Sequence, residues 1–348
     1  MRERKEKGQN LISSLKDIID LSRSFWKSKI LLVANELDVF SKLSDSPKTA
    51  KDLSEIMKTD PRATELLLNA VAGMGLLKKK KGIFSNTEVS KRYLCQSSAS
   101  YIGFALRHYN YCWDAWSELD QVIKRGHPSR FIEQEALRND EKRARDFALM
   151  MDYFGRKTVV EIDKFLSLGR VKKMLDLGGG SGCYSIFFAK KYSQLESVVF
   201  DLPLVAKFAK ENVAEGDLTN RIRVVEGDFL TDEIGESYDL VFISFVLHTY
   251  NSSEISLIFR KVHRALQEEG RIVILEYILE ENDTRPIEAA IFSILMLVNT
   301  MTGKVHNFKE IKDTLNKNRF EIVKIQKLTK PDVLKSRNPF LIIAKKGR

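Results

Sequence analysis

Across residues 11–40 apolar side chains return at helical spacing: Leu15, Ile18, Ile19, Leu21 and Phe25, then Ile30, Leu31, Val33, Ala34, Leu37 and Phe40. That period predicts one long helix or two consecutive ones with a wide apolar face. A face so wide, so early in the chain, has little of its own domain to pack on. A second subunit is its expected cover. Two shorter helices follow over residues 49–77: Thr49 is placed to cap AKDLSEIM, and Asp60-Pro61 opens RATELLLNAVAGMGLL with proline in the first turn. Residues 78–93 alternate through a turn at Lys81-Gly82 and read as a two-stranded ribbon. Helices and ribbon together make a winged helix.

Residues 100–126 are rich in aromatics at helical spacing, among them Tyr101, Phe104, Tyr111, Trp113 and Trp116. Such a stripe suits a core as well as a ligand box. A helix over 159–168 leads into a change of pattern, with short apolar runs at 174–177, 197–200, 223–226, 239–245 and 271–276. Between the first two, 184–192 has helical period, with Ile186, Phe187 and Phe188 inward and lysines in its last turn. Strands alternating with helices predict an α/β, Rossmann-like, doubly wound sheet. EIVKIQKL and NPFLIIAKK at the far end read as a closing hairpin.

With 348 residues the chain can bury a large core and should form more than one domain. The expected division is 1–98, 99–165 and 166–348. Three cysteines, odd in number and widely spaced, argue against a disulfide framework and a zinc site; no metal is expected. The charged start MRERKEKGQN lacks the apolar stretch of a signal peptide, and no apolar run reaches the ~20 residues a membrane span needs. A soluble cytoplasmic protein without a membrane partner is expected. The net charge of +10 comes largely from the N-terminal tail, Lys78–Lys81 and the AKKGR terminus, which look solvated.

The winged-helix shape with a lysine-tipped ribbon invites a DNA-binding regulator as a competing class. However, the helix that would enter the major groove carries one arginine and almost no asparagine, glutamine or lysine to reach base edges. A nucleic-acid partner is therefore not expected.

The chemistry concentrates at MLDLGGGSG, residues 174–182. A strand runs into a turn that only glycine makes cheaply, and a helix leaves it. Dinucleotide enzymes space these glycines as G-x-G-x-x-G. Here Gly178, Gly179, Gly180 and Gly182 follow an acid, Asp176, which points away from NAD and towards S-adenosyl-L-methionine, a cofactor without a pyrophosphate. A glycine turn in some other α/β protein is the plainer alternative. The next run ends in Asp201, roughly 20 residues on, where a doubly wound sheet sets a carboxylate on ribose hydroxyls.

MLDLGGGSG, VFDLP (199–203), EGDF (226–229), VLH (246–248) and VILE (273–276) occur in the order and spacing of class I S-adenosylmethionine-dependent O-methyltransferases. More narrowly, nearly the whole chain resembles the caffeate-type, hydroxyindole-type and antibiotic-tailoring O-methyltransferases. The resemblance implies a mostly parallel seven-stranded sheet with a C-terminal hairpin, preceded by a mainly α winged-helix domain that forms a homodimer. It implies that Asp176, Gly178, Gly180, Gly182, Asp201, Leu202, Asp228, Phe229 and Ser244 hold the cofactor. His248 would be the general base and Glu276 would orient it. DFALMMDY (146–153) matches the family's Phe-x-x-x-Met pattern, so Phe147, Met150 and Met151, with Met296 and Asn299 further on, would wall an aromatic acceptor.

The chain departs from the family in places. His-Asp-Trp is replaced by His248-Thr249-Tyr250, a frequent lysine by Ser244, and Gly-x-Glu-Arg-Thr by Gly303-Lys304-Val305-His306-Asn307. Val305 cannot serve as a second acid beside the base. O-methylation, C- or N-methylation, and a relative that no longer transfers methyl therefore all remain open.

Overall fold

The computed structural model describes residues 12–129, 132–328 and 339–347. The tail 1–11, where the first helix was expected to begin, and Arg348 at the other terminus lie outside them. The chain divides between Asn110 and Tyr111 into two compact units.

The first unit opens with the helix Leu15–Glu36, capped by Ser14, and the short helix Val39–Lys42. Thr49 and Asp52 form a reciprocal capping box on Ala50–Met57, and Asp60 caps Pro61–Gly73 with Pro61 in its first turn. β1 (Lys48–Thr49), β2 (Leu77–Lys80) and β3 (Ile83–Asn86) form a small sheet of order β1-β3-β2. Lys81 and Gly82 both turn left-handed between β2 and β3, the conformation a two-residue hairpin needs. The ribbon expected to reach residue 93 stops at Asn86. Thr87 accepts the Ser90 amide and caps a helix, Glu88–Leu94, so its hydroxyl ends the strand. Phe40, Leu53, Leu68 and Phe84 form the core. The first helix leaves Leu15, Leu21, Phe25 and Trp26 at 73%, 62%, 53% and 54% exposure, an apolar stripe with no cover in its own unit.

The second unit is built on a seven-stranded sheet: β4 (Lys173–Leu177), β5 (Glu196–Asp201), β6 (Ile222–Glu226), β7 (Tyr238–Ser244), β8 (Leu266–Glu276), β9 (Phe320–Lys327) and β10 (Phe340–Lys346). The spatial order is β6-β5-β4-β7-β8-β10-β9. The first five strands are parallel, and β10 runs antiparallel to both β8 and β9. Apolar cores cover both faces, which is why these strands read as continuous apolar runs. Strand order reverses beside β4, opening a crevice at the carboxyl ends of β4 and β7. The stretches 146–153 and 159–168 do not form separate elements: one helix, Glu141–Leu166, spans most of both and ends at left-handed Ser167. Among the described residues no helix is long and apolar enough to cross a membrane.

Candidate functional site

The glycine turn after β4 is built by backbone geometry. Gly178, Gly180 and Gly182 all have φ between +58° and +73°. A side chain on Gly178 would stand 2.5 Å from Val246 Cγ2, so the neighbouring loop also demands glycine there. The amides of Gly178 and Gly179 donate to the Phe200 carbonyl at 2.8 and 3.3 Å, tying the turn to β5. Asp201 completes the tie: Oδ2 accepts the Gly180 amide and Oδ1 the Leu202 amide, both at 2.7 Å. Burial pushes its carboxyl up to about 6.

Gly178, Gly180, Asp201, Leu202, Asp228, Phe229, Ser244, Phe147 and Met151 line a single cleft at the carboxyl edge of the sheet. At one end Asp228 Oδ1 accepts the Leu230 amide at 3.0 Å, and the Phe229 and Tyr250 rings meet edge to face at 5.8 Å. Phe147 and Met151 reach it from the long helix, one turn apart on the same face.

Other expected site residues sit elsewhere. Asp176 is fully buried beneath the turn and does not line the cleft. Its Oδ2 accepts from Ser185 Oγ at 2.8 Å, and Ser185 reaches Ser197 at 2.8 Å; Oδ1 has no partner. Burial pushes this carboxyl up to about 7. Gly182 is the N-cap of the helix Cys183–Lys191. Met150 is buried off the cleft wall, as are Met296 and Asn299 on the helix Ile287–Asn299. Asn299 Nδ2 points to Cys112 Sγ at 3.7 Å, while its buried Oδ1 has no partner.

His248 lies just past β7 in the short helical turn Leu247–Thr249, 6% exposed. Nδ1 is 2.8 Å from Glu276 Oε1, at the end of β8. Nε2 makes no hydrogen bond among the described residues. Phe292 meets the imidazole edge to face at 4.9 Å, and Tyr277 lies 5.3 Å from Phe292. Val305 is buried and gives no acid beside this pair. His306 is buried behind Tyr250, with Nε2 donating to the Tyr250 carbonyl at 2.8 Å; burial pushes its pKa down, favouring the neutral ring.

Several cleft residues were missed, among them Leu137, Tyr184, Val246 and Tyr250, and two of the missed ones carry features of their own. Arg138 Nη2 pairs with Asp228 Oδ2 at 2.6 Å, a link across 90 positions with no local signal in the sequence. Phe245 lines the cleft with φ of +54°, an outlier for a bulky side chain that its strand-like pattern hid.

Comparison with known proteins shows the family. Residues 116–321 match the family model described as an O-methyltransferase domain, and residues 19–96 match an O-methyltransferase dimerisation domain. The chain is 27% identical over 301 residues to 3-hydroxy-5-methyl-1-naphthoate 3-O-methyltransferase of Streptomyces sahachiroi, covering 86% of this chain and 87% of that one. It is 28% identical to acetylserotonin O-methyltransferase of Bos taurus, over 81% of this chain and 85% of that one. The solved structure of PigF with SAH, a Serratia protein, superposes with a TM-score of 0.89 at 24% identity, over 96% of this chain and all of that one.

Proposed function

The chain belongs to the S-adenosylmethionine-dependent O-methyltransferases, and from that premise we propose that it methylates a hydroxyl of an aromatic or polycyclic small molecule, with His248 as general base. The arrangement of His248 carries this reading: Nδ1 is held by Glu276 at 2.8 Å and Nε2 is left bare at the carboxyl edge of the sheet.

The residues present fit the cofactor. Nothing lies within 4 Å of where a side chain on Gly180 would stand, so the turn's backbone is open to a ligand. Asp201 and Asp228 stand on the same cleft wall, suited to ribose hydroxyls and to the adenine amino edge, with Leu202 and Phe229 beside them. When bound, the cofactor supplies an electrophilic methyl on a sulfonium. The chain's own work is to place the acceptor oxygen in line with that methyl, take its proton on His248 Nε2 and exclude water. Glu276 positions the imidazole by accepting from Nδ1. Phe147 and Met151 wall the cleft, and Phe292 and Tyr277 close the apolar side of the base.

In this reading residues 1–98 join two copies, 99–165 cover the acceptor and 166–348 hold cofactor and base. The apolar stripe of Leu15, Leu21, Phe25 and Trp26 supports a homodimer, since two such stripes can cover each other. Aromatic acceptors are also what the naphthoate and acetylserotonin enzymes are named for.

The test is a methylation screen with mass detection over phenols, catechols, quinols and indoles, using purified protein and S-adenosylmethionine. Methyl gain on oxygen in at least one class supports the reading. Methyl found only on carbon or nitrogen, or cofactor binding without any transfer, overturns it.

A further inference from the structure

The cofactor brings a charge problem to this cleft. A sulfonium taken out of water needs a countercharge or another electron-rich surface. Among the described lining residues the carboxylates are Asp201 and Asp228, and each of their oxygens already accepts one protein donor, leaving one lone pair apiece for the cofactor's hydroxyls or amine. Asp201 spends its two on the Gly180 and Leu202 amides. Asp228 spends one on the Leu230 amide and the other on Arg138. Aromatic faces remain, and they are not equivalent. Phe229 and Tyr250 meet edge to face at the Asp228 end, and Tyr184 packs on Phe242 at 4.9 Å much as Phe245 packs on Tyr277 at 4.8 Å, so position rather than a freer face separates them.

Phe245 stands apart in two respects. It is where the cleft wall meets the cluster around the base: its ring centroid lies 4.8 Å from Tyr277, whose ring lies 6.4 Å from His248. Its backbone is also held left-handed at the end of β7, with its amide donating to the Leu275 carbonyl at 2.8 Å. Strain of this kind in a bulky residue persists where the surroundings hold it, and it clusters at ligand clamps.

We propose that the face of the Phe245 ring seats the sulfonium and is the feature by which this enzyme tells the charged methyl donor from its neutral product. A cation over an aromatic face is attracted by the ring quadrupole, most strongly where water is excluded. On transfer, the acceptor oxygen bonds the methyl carbon, the sulfur–carbon bond breaks and sulfur keeps the electron pair as a neutral thioether. The attraction to Phe245 ends at that moment, so this contact favours the donor over the spent cofactor. The inference uses the base assignment only to say which end of the cleft must deliver the methyl.

Calorimetry with S-adenosylmethionine and with S-adenosylhomocysteine tests it, on the full chain carrying mono-, di- or trifluorinated phenylalanine at position 245. Fluorine drains the ring face while nearly keeping its shape. Donor affinity is expected to fall stepwise, by about fivefold across the series, or about 1 kcal/mol at 1.4 kcal/mol per tenfold. Product affinity should stay within about twofold, because a neutral thioether gains nothing from the quadrupole. Phe245→Leu should give the full loss in one step, and Phe245→Trp should retain donor preference. A flat series, or equal weakening of donor and product, overturns the proposal. His248→Ala, measured alongside, should keep the donor-to-product ratio; its turnover then judges the base separately.

Discussion

Glu276 grips His248 twice: Oε1 lies 2.8 Å from imidazole Nδ1, and Oε2 accepts the His248 backbone amide at 3.3 Å. The Tyr277 amide adds a third donor, to Oε1 at 2.8 Å. A carboxylate only accepts, so the proton of a neutral imidazole is drawn to Nδ1 and the lone pair is left on Nε2. Orientation and tautomer are therefore set by one acid at the end of the adjacent strand.

In the mechanism proposed above, replacing the imidazole removes the proton acceptor and leaves the cofactor cleft whole. His248→Ala is expected to lower turnover by about 10²-fold or more, with cofactor affinity by calorimetry nearly unchanged. Unaltered turnover would take His248 out of the mechanism.

Glu276→Gln tests the tautomer. The amide can donate to Nδ1, which moves the imidazole proton to Nε2 and blocks it as a base; losses of up to about 10⁴-fold are known for such a swap in a catalytic triad. A fall of about 10²-fold in kcat, with acceptor KM little changed, is expected here on the same logic. A change confined to KM would assign Glu276 to acceptor binding.

Asp176 makes stability depend on pH. Its carboxyl is raised from the ordinary 3.8 to about 7 by burial, so between those values the folded chain holds more protons than the unfolded one. Its contribution is fully present below the lower value and is lost as pH rises through the upper one. Asp176→Asn should remove this slope, which cannot exceed about 1.4 kcal/mol per pH unit for one group. Urea melts of both proteins across the range measure the difference. Parallel curves would show that Asp176 does not titrate there.

Asn299 buries an oxygen with no partner and a nitrogen with only a distant sulfur. An orphaned buried acceptor costs about 1–3 kcal/mol. Asn299→Leu is therefore expected to hold or raise the melting temperature, which thermal melts of the two proteins compare, and to leave acceptor KM little changed because the side chain lies off the cleft wall. A raised KM with unchanged stability would instead give the side chain a part in acceptor binding.

Much of this fold is legible in the chain because local chemistry writes it. Thr49 and Asp60 cap the helices they precede, since a side-chain oxygen set before a helical run has little else to satisfy. The five parallel strands show because burial on both faces leaves only apolar runs. Thr87 was legible in principle as a cap, but the alternation around it hid the helix behind it. The first residues of β8, Leu266–Gly270, carry glutamine and two glutamates and gave no strand signal. Met150 lies three residues from Phe147, too close in helical phase for the sequence to tell the two apart. Arg138 and the left-handed Phe245 could not be read, because one depends on a distant partner and the other on how a strand ends.

Cys183 stands on the cleft wall yet is 6% exposed, packed where a side chain on Gly155 would lie 2.4 Å from its sulfur. Burial pushes its thiol up to about 12, and Cys95 and Cys112 are buried as well. Thiolates, not thiols, attack electrophiles. Catechols and quinols oxidise readily to quinones, which alkylate reactive sulfur. On the proposed reading, with catechols and quinols among the acceptors to be screened, thiols kept protonated and largely buried would spare the enzyme alkylation by the oxidised form of such an acceptor.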